Sequence, residues 1–144
     1  MLNRSLPALL AALCLAMPAF AQAESTPEPA PALSLELNDL SPADAGCRAT
    51  FVAANTLDSD IDRTALEMAL FDRDSVIERI VMLEFADLTR GRTKVLQFVL
   101  DGLDCADLGR VLVNAAPACV GPADAASCLD SLVTSSRPEI VFGL

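Results

Sequence analysis

Between positions 34 and 114 the chain keeps returning to one pattern: short apolar-rich stretches with a period of two, each closed by a group of turn residues. That period belongs to a pleated strand, whose successive side chains point to opposite faces. It constrains the fold more than any motif in the sequence. Residues 34–40 set Leu35 and Leu37 against Glu36 and Asn38, which predicts a half-buried strand. The run 41–46 (SPADAG) then reads as a turn. Residues 47–55 (CRATFVAAN) give a second strand centred on Phe51, and the polar run 56–63 a loop. Residues 65–71 place Leu66, Met68 and Leu70 on one face. Asp72, Arg73, Asp74 and Ser75 follow as a hairpin turn.

Residues 76–88 carry Ile77, Ile80, Val81, Met82, Leu83 and Phe85. Their length would suit a helix, but the β-branched content and the preceding tight turn favour a strand. After a turn at 89–92, residues 93–100 alternate Leu96, Phe98 and Leu100 with Val95, Gln97 and Val99. Asp101-Gly102 signals the next turn, and 108–114 a further strand through Val111 and Val113. This spacing predicts a mainly β fold: a single antiparallel, immunoglobulin-like β-sandwich. The tail breaks the pattern. Pro122 suits a first helical turn, and Ala125, Cys128, Leu129 and Leu132 recur at i, i+3, i+4 and i+7, which predicts a short C-terminal helix. Residues 139–142 are expected to return as a closing edge strand.

The N-terminus bears on the compartment. Arg4 supplies a positive charge, 6–20 are apolar, and Ala21-Gln22-Ala23 offers a small-x-small site. The apolar run is shorter than the roughly 20 residues of a spanning helix. A cleaved Sec signal peptide over 1–23 is therefore expected. No twin arginine precedes the run, and Leu13 stands where a lipoprotein signal needs a small residue before Cys14. Residues 24–32, with Pro27, Pro29 and Pro31, read as an extended tether, and 33–144 as the folded domain. The expected location is periplasmic or secreted, without membrane insertion of the mature chain.

Cleavage would remove Arg4 but none of the twenty acidic residues, leaving nine basic side chains and a net charge of −11. Nucleic acid and anionic lipid repel such a chain. Four cysteines would remain: Cys47, Cys105, Cys119 and Cys128. An even count in an exported chain predicts two disulfides, with three possible pairings. Cys119 precedes the expected helix that contains Cys128, while Cys47 opens one strand and Cys105 precedes another. Cys47–Cys105 with Cys119–Cys128 is thus the favoured pairing.

What the chain lacks limits its chemistry. It has no histidine, tryptophan or tyrosine, which removes Ser-His-Asp and Cys-His catalysis and the histidine-based metal and haem sites. The cysteines follow neither zinc-ribbon nor C-x-x-C spacing. Asp58, Asp60 and Asp62 copy the opening ligands of a calcium loop, but Arg63 replaces the required glycine and Ala69 the bidentate glutamate. They are weak metal candidates, better explained as a solvated loop. The pairs Asp72/Asp74 and Asp101/Asp104 could serve a glycosidase, yet their positions suit turns. No cofactor is expected.

The run Cys47 to Asn55 resembles the signature of a group of small exported alphaproteobacterial proteins. So do Leu70-Phe71-Asp72, Gln97-Phe98, and Cys105 followed by Arg110 to Asn114. That group is labelled as Tat pathway signal sequence domain proteins, although this chain lacks the twin arginine. The strand-Asn-loop pattern is more loosely similar to immunoglobulin-like envelope modules. Neither resemblance supplies a catalytic residue. The function expected is a non-enzymatic interaction or accessory module with an envelope protein as partner; the alternative is a small-ligand or Ca2+ binder using 58–62. An interface of the first kind should show as an apolar patch outside the core.

Overall fold

A computed structural model of the chain describes residues 30–121 and 125–144, with backbone alone at 125–127. The expected leader, most of the tether and Pro122 lie outside the described residues. The elements in chain order are β1 (Leu33–Ala43), β2 (Gly46–Asn55), β3 (Ile61–Asp72), β4 (Ile77–Leu88), β5 (Thr93–Asp101), β6 (Leu108–Val120), α1 (Ala125–Asp130), β7 (Leu132–Ser136) and β8 (Val141–Gly143). One four-stranded sheet runs β5-β2-β1-β7 and the other β4-β3-β6-β8. They pack face to face as a β-sandwich around one core.

The core follows from the alternation. Leu33, Leu35 and Leu37 of β1, Phe51 of β2, and Leu66, Met68 and Leu70 of β3 are all buried. Phe51 meets Phe85 and Phe142 of the opposite sheet at 5.6 Å, edge to face, and Phe85 meets Phe98 at 5.2 Å. Such pairs add about 0.5–1.5 kcal/mol each beyond their burial. In β1 the pairing register shifts at Asn38. This bulge explains why Leu40, rather than Asn38 or Asp39, next approaches the core. Residues 76–88 form a strand from Ile77 onward; the Asp72 carboxylate starts it by accepting from the Asp74 and Val76 amides at 2.9 and 2.8 Å.

Several expectations need correction. The sheets are mixed, not wholly antiparallel: β7 runs parallel to β1 and β8 parallel to β6. The loop at 56–63 ends early, because Ile61 already belongs to β3 and is buried. β6 continues past Asn114 to Val120, since its register against β3 extends to Arg63↔Val120. The helix α1 spans only six residues. Leu132 leaves it to open β7, where the ladder Leu33↔Leu132 to Leu37↔Ser136 outweighs one more helical turn.

The disulfides join Cys47 to Cys105 and Cys119 to Cys128, with Cα–Cα separations of 4.9 and 6.2 Å. These are the pairs favoured from the sequence. The first ties the start of β2 to the loop before β6. The second ties the end of β6 to α1.

Candidate interaction surface

The acidic loop is organised by Asn55, the last residue of β2. Its side chain is 1% exposed. It donates to the carbonyls of Ser59 and Leu88 at 2.9 and 2.8 Å and accepts from the Leu57 amide at 2.9 Å. Asp60 is drawn to the neighbouring turn, where its carboxylate accepts from the Arg90 amide at 2.7 Å. Asp58 faces the Arg90 guanidinium at 3.8 Å. Asp62 stands apart, exposed on β3. The structure therefore does not gather Asp58, Asp60 and Asp62 around one point, and no group of three or more potential metal ligands occurs among the described residues.

The other paired carboxylates shape turns. Asp72 caps the β3–β4 hairpin as described, and Asp104 accepts from the Ala106 amide at 2.9 Å. Asp101 offers its backbone carbonyl to Arg79 at 2.7 Å. Between the sheets lies a void of about 10 Å³ lined by Leu33, Leu66, Phe85, Leu88 and Leu132. Thr64 also borders it, with a buried hydroxyl that has no hydrogen-bond partner. A void of that size holds at most one water.

The feature that sequence reasoning missed lies on β4, an edge strand of its sheet. Val76, Ile77, Ile80 and Met82 are each at least half exposed; Ile80 and Met82 reach 53%. Inward from the same strand, Leu83 and Phe85 are buried and Val81 packs on the core. The strand thus carries apolar residues on both faces, while one of its long sides has no hydrogen-bonded neighbour among the described residues. Its register against β3 runs unbroken from Leu70↔Arg79 to Ala65↔Glu84 and shifts beyond each end. Two side chains tie that span to β5 of the other sheet. Arg79 donates to the Asp101 carbonyl, and Lys94 donates to the Asp87 carbonyl and carboxylate, both at 2.9 Å. The open edge is therefore the run of unbroken register, 79–84.

Along that run, Ile80, Met82 and Glu84 stand at successive i+2 positions, and Glu78, at the bulge between Ile77 and Arg79, precedes them; all four are exposed. Glu84 pairs with Arg63 of β3 at 2.7 Å, and the hydrogen bond from that guanidinium holds its carboxyl below the usual value. Glu78 has no ion pair among the described residues. Across the sheet, Ile80 stands beside Ala69 and then Leu112, and Ile77 beside Phe71 and then Arg110. The Arg110 guanidinium covers the Phe71 ring at 5.6 Å. The only sequence signal was the doubly apolar composition of 76–88, and it could not say that β4 would lie at an edge.

Fold and surface together define a disulfide-stapled β-sandwich whose edge strand β4 exposes Ile77, Ile80 and Met82. The two disulfides point to an extracytoplasmic protein. No helix among the described residues is long and apolar enough to cross a membrane. No family model matches the chain, and no curated protein does. Among solved structures it is similar to a Salmonella enterica trimeric lipoprotein, SadB, with a TM-score of 0.42 and 17% identity over 49% of this chain. The match spans 40% of that chain.

Proposed function

We propose that this is a non-enzymatic exported protein of the periplasm that binds a protein partner along the β4 edge, serving as an interaction or accessory module of the cell envelope. One observation carries the reading: a six-residue unbroken strand edge, 79–84, whose outward Ile80 and Met82 are both 53% exposed. Exposed apolar edges invite pairing with another chain, and proteins normally blunt them. Strand addition is an established mode of peptide recognition. The expected leader at 1–23 and the acidic net charge support export and argue against nucleic acid as the partner.

The immunoglobulin-like relation and the kinship with small exported proteins carrying a Tat-type label belong to the same proposal. Supporting the first is the partition of β1, β2 and β5 into one sheet and β3, β4 and β6 into the other. The parallel β7 and β8 depart from that scheme.

The test is site-specific photocrosslinking in the native cell. A photoreactive residue replacing Met82 should give one saturable product, and one replacing the exposed Ser135 on β7 should not. Equal labelling from both positions would refute the β4 edge as an interface.

A further inference from the structure

We infer that the partner of the β4 edge is an extended segment in which two apolar residues, two positions apart, are flanked by basic residues. This rests on the reading of β4 as an interface and specifies its occupant. The exposed side chains of the edge read acidic, apolar, apolar, acidic: Glu78 at the bulge that opens the run, then Ile80, Met82 and Glu84 in register. Residues directly opposite across paired strands interact side chain to side chain, opposite charges favourably and like charges unfavourably. A strand that sets apolar groups against Ile80 and Met82 therefore faces Glu84 at one end and comes within reach of Glu78, at the bulge, at the other. Lysine or arginine at those two places completes the match.

The same row argues against a second copy of this chain. An antiparallel, self-complementary pairing about Val81 sets Ile80 against Met82 of the other copy, which suits both. It also brings Glu78, at the bulge, towards Glu84 of the other copy, a like-charge approach repeated twice by the symmetry. Shifting the register to relieve that contact moves the apolar residues out of alignment. The net charge of −10 on each chain adds a longer-range repulsion. Of these two carboxylates, Glu84 has a basic partner among the described residues, Arg63, at 2.7 Å. Glu78 is left to the partner.

The length of the partner strand is also set. The register irregularities after Ile77 and before Ala86 bend β4 away at both ends. Arg79 and Lys94 tie β4 to β5 near the same places. A segment of about seven residues fills the span between them.

The probe is the blocked peptide Lys-Thr-Val-Thr-Val-Thr-Lys, which reads the same in both directions. Its control carries glutamate in place of both lysines. Binding to the mature, oxidised protein is followed by the amide NMR shifts of 79–84 at low salt. The lysine peptide should shift those amides and bind about tenfold more tightly than the glutamate peptide. The gap should narrow as salt screens the charges. Glu78→Lys should reduce or reverse the preference, and the double change Ile80→Ser with Met82→Ser should weaken both peptides about tenfold or more. Equal affinity for the two peptides at 79–84 would overturn the basic partner while leaving β4 as an interface. No shift at 79–84 with either peptide would overturn the strand-addition partner. If position 82 still crosslinked in the cell, the interface reading would survive that result; if it did not, both would fall.

Discussion

Asn55→Ala is expected to be the most informative single change in the domain. The Asn55 side chain holds the Ser59 and Leu88 carbonyls and the Leu57 amide, and it is almost wholly enclosed. Its own backbone amide bonds the Arg92 carbonyl at 3.2 Å, and its carbonyl accepts from the Gly91 amide at 2.7 Å. One residue thus fastens the end of β2, the 56–60 loop and the turn after β4. Truncation leaves the Leu88 carbonyl without its buried partner, which costs about 1–3 kcal/mol. The other two groups are partly accessible to water, and losing their bonds costs about 0.5–1 kcal/mol each. The total is about 3 kcal/mol. With a urea m-value of about 2 kcal/mol/M, the midpoint should fall by about 1.5 M at unchanged slope. The comparison is Thr56→Ala, whose bonds to Ala32 are exposed and which should cost less than about 1 kcal/mol. If Asn55→Ala unfolds at the same urea concentration as Thr56→Ala, the assigned role of Asn55 is wrong.

Thr64→Val should stabilise the domain by about 1 kcal/mol, since it removes a buried hydroxyl that lacks a partner while keeping the side chain's shape; a loss of melting temperature would mean that the hydroxyl is satisfied in solution. Replacing both cysteines of a disulfide by serine should cost about 4 kcal/mol for Cys47–Cys105 and about 2.6 kcal/mol for Cys119–Cys128, because the first closes a 58-residue separation and the second only 9. The reverse order in urea unfolding would count against the loop-closure account. The carboxyls of Glu36, Glu84 and Asp87 are held below their usual values chiefly by hydrogen bonds from Asn38, Arg63 and Lys94 respectively. Their contribution is complete above the unfolded carboxyl range and disappears as pH falls through the lowered folded values. Between about pH 5 and pH 3, the wild type should therefore lose stability faster than a variant carrying Glu36→Gln, Glu84→Gln and Asp87→Asn. Parallel pH profiles would show that the three carboxyls make no net contribution.

The strands were legible because burial and alternation coincide along them. Leu66, Met68 and Leu70 alternate in the sequence and are all buried in β3. The bridges were legible because each pair of cysteines sits at strand ends that a sandwich brings together. Both closing strands depend on distant partners and are therefore harder to read. Leu132 fits a helical stripe, and only the free edge of β1 makes it a strand residue. The acidic run 58–62 looked like one unit. In the fold, the turn at 89–92 takes Asp60, Arg90 faces Asp58, and β3 takes Asp62. The exposed row on β4 had the same limitation. Ile80 and Met82 read as ordinary strand residues until strand order puts β4 at the sheet's margin.

That margin, with the β5 edge beside it, differs from the opposite one in how it is protected. The last twenty residues close the opposite side of the sandwich. β7 covers β1 through five paired positions, and β8 covers β6 at Arg110, Val111 and Leu112. Beyond them on β6 stands Pro117, which has no amide hydrogen to offer a further strand. Nearby, α1 is fastened to β6 by Cys119–Cys128. Proline, short strands and coverage by a helix are the usual devices against edge pairing. On the β4 side the chain uses Arg79 and Lys94 near the two ends of the run and leaves 80–84 without such a device. A sequence that guards one side of its sandwich this fully has the means to guard the other. On the proposed reading, a partner strand over Ile80 and Met82 completes on this side what β7 and β8 complete on the other.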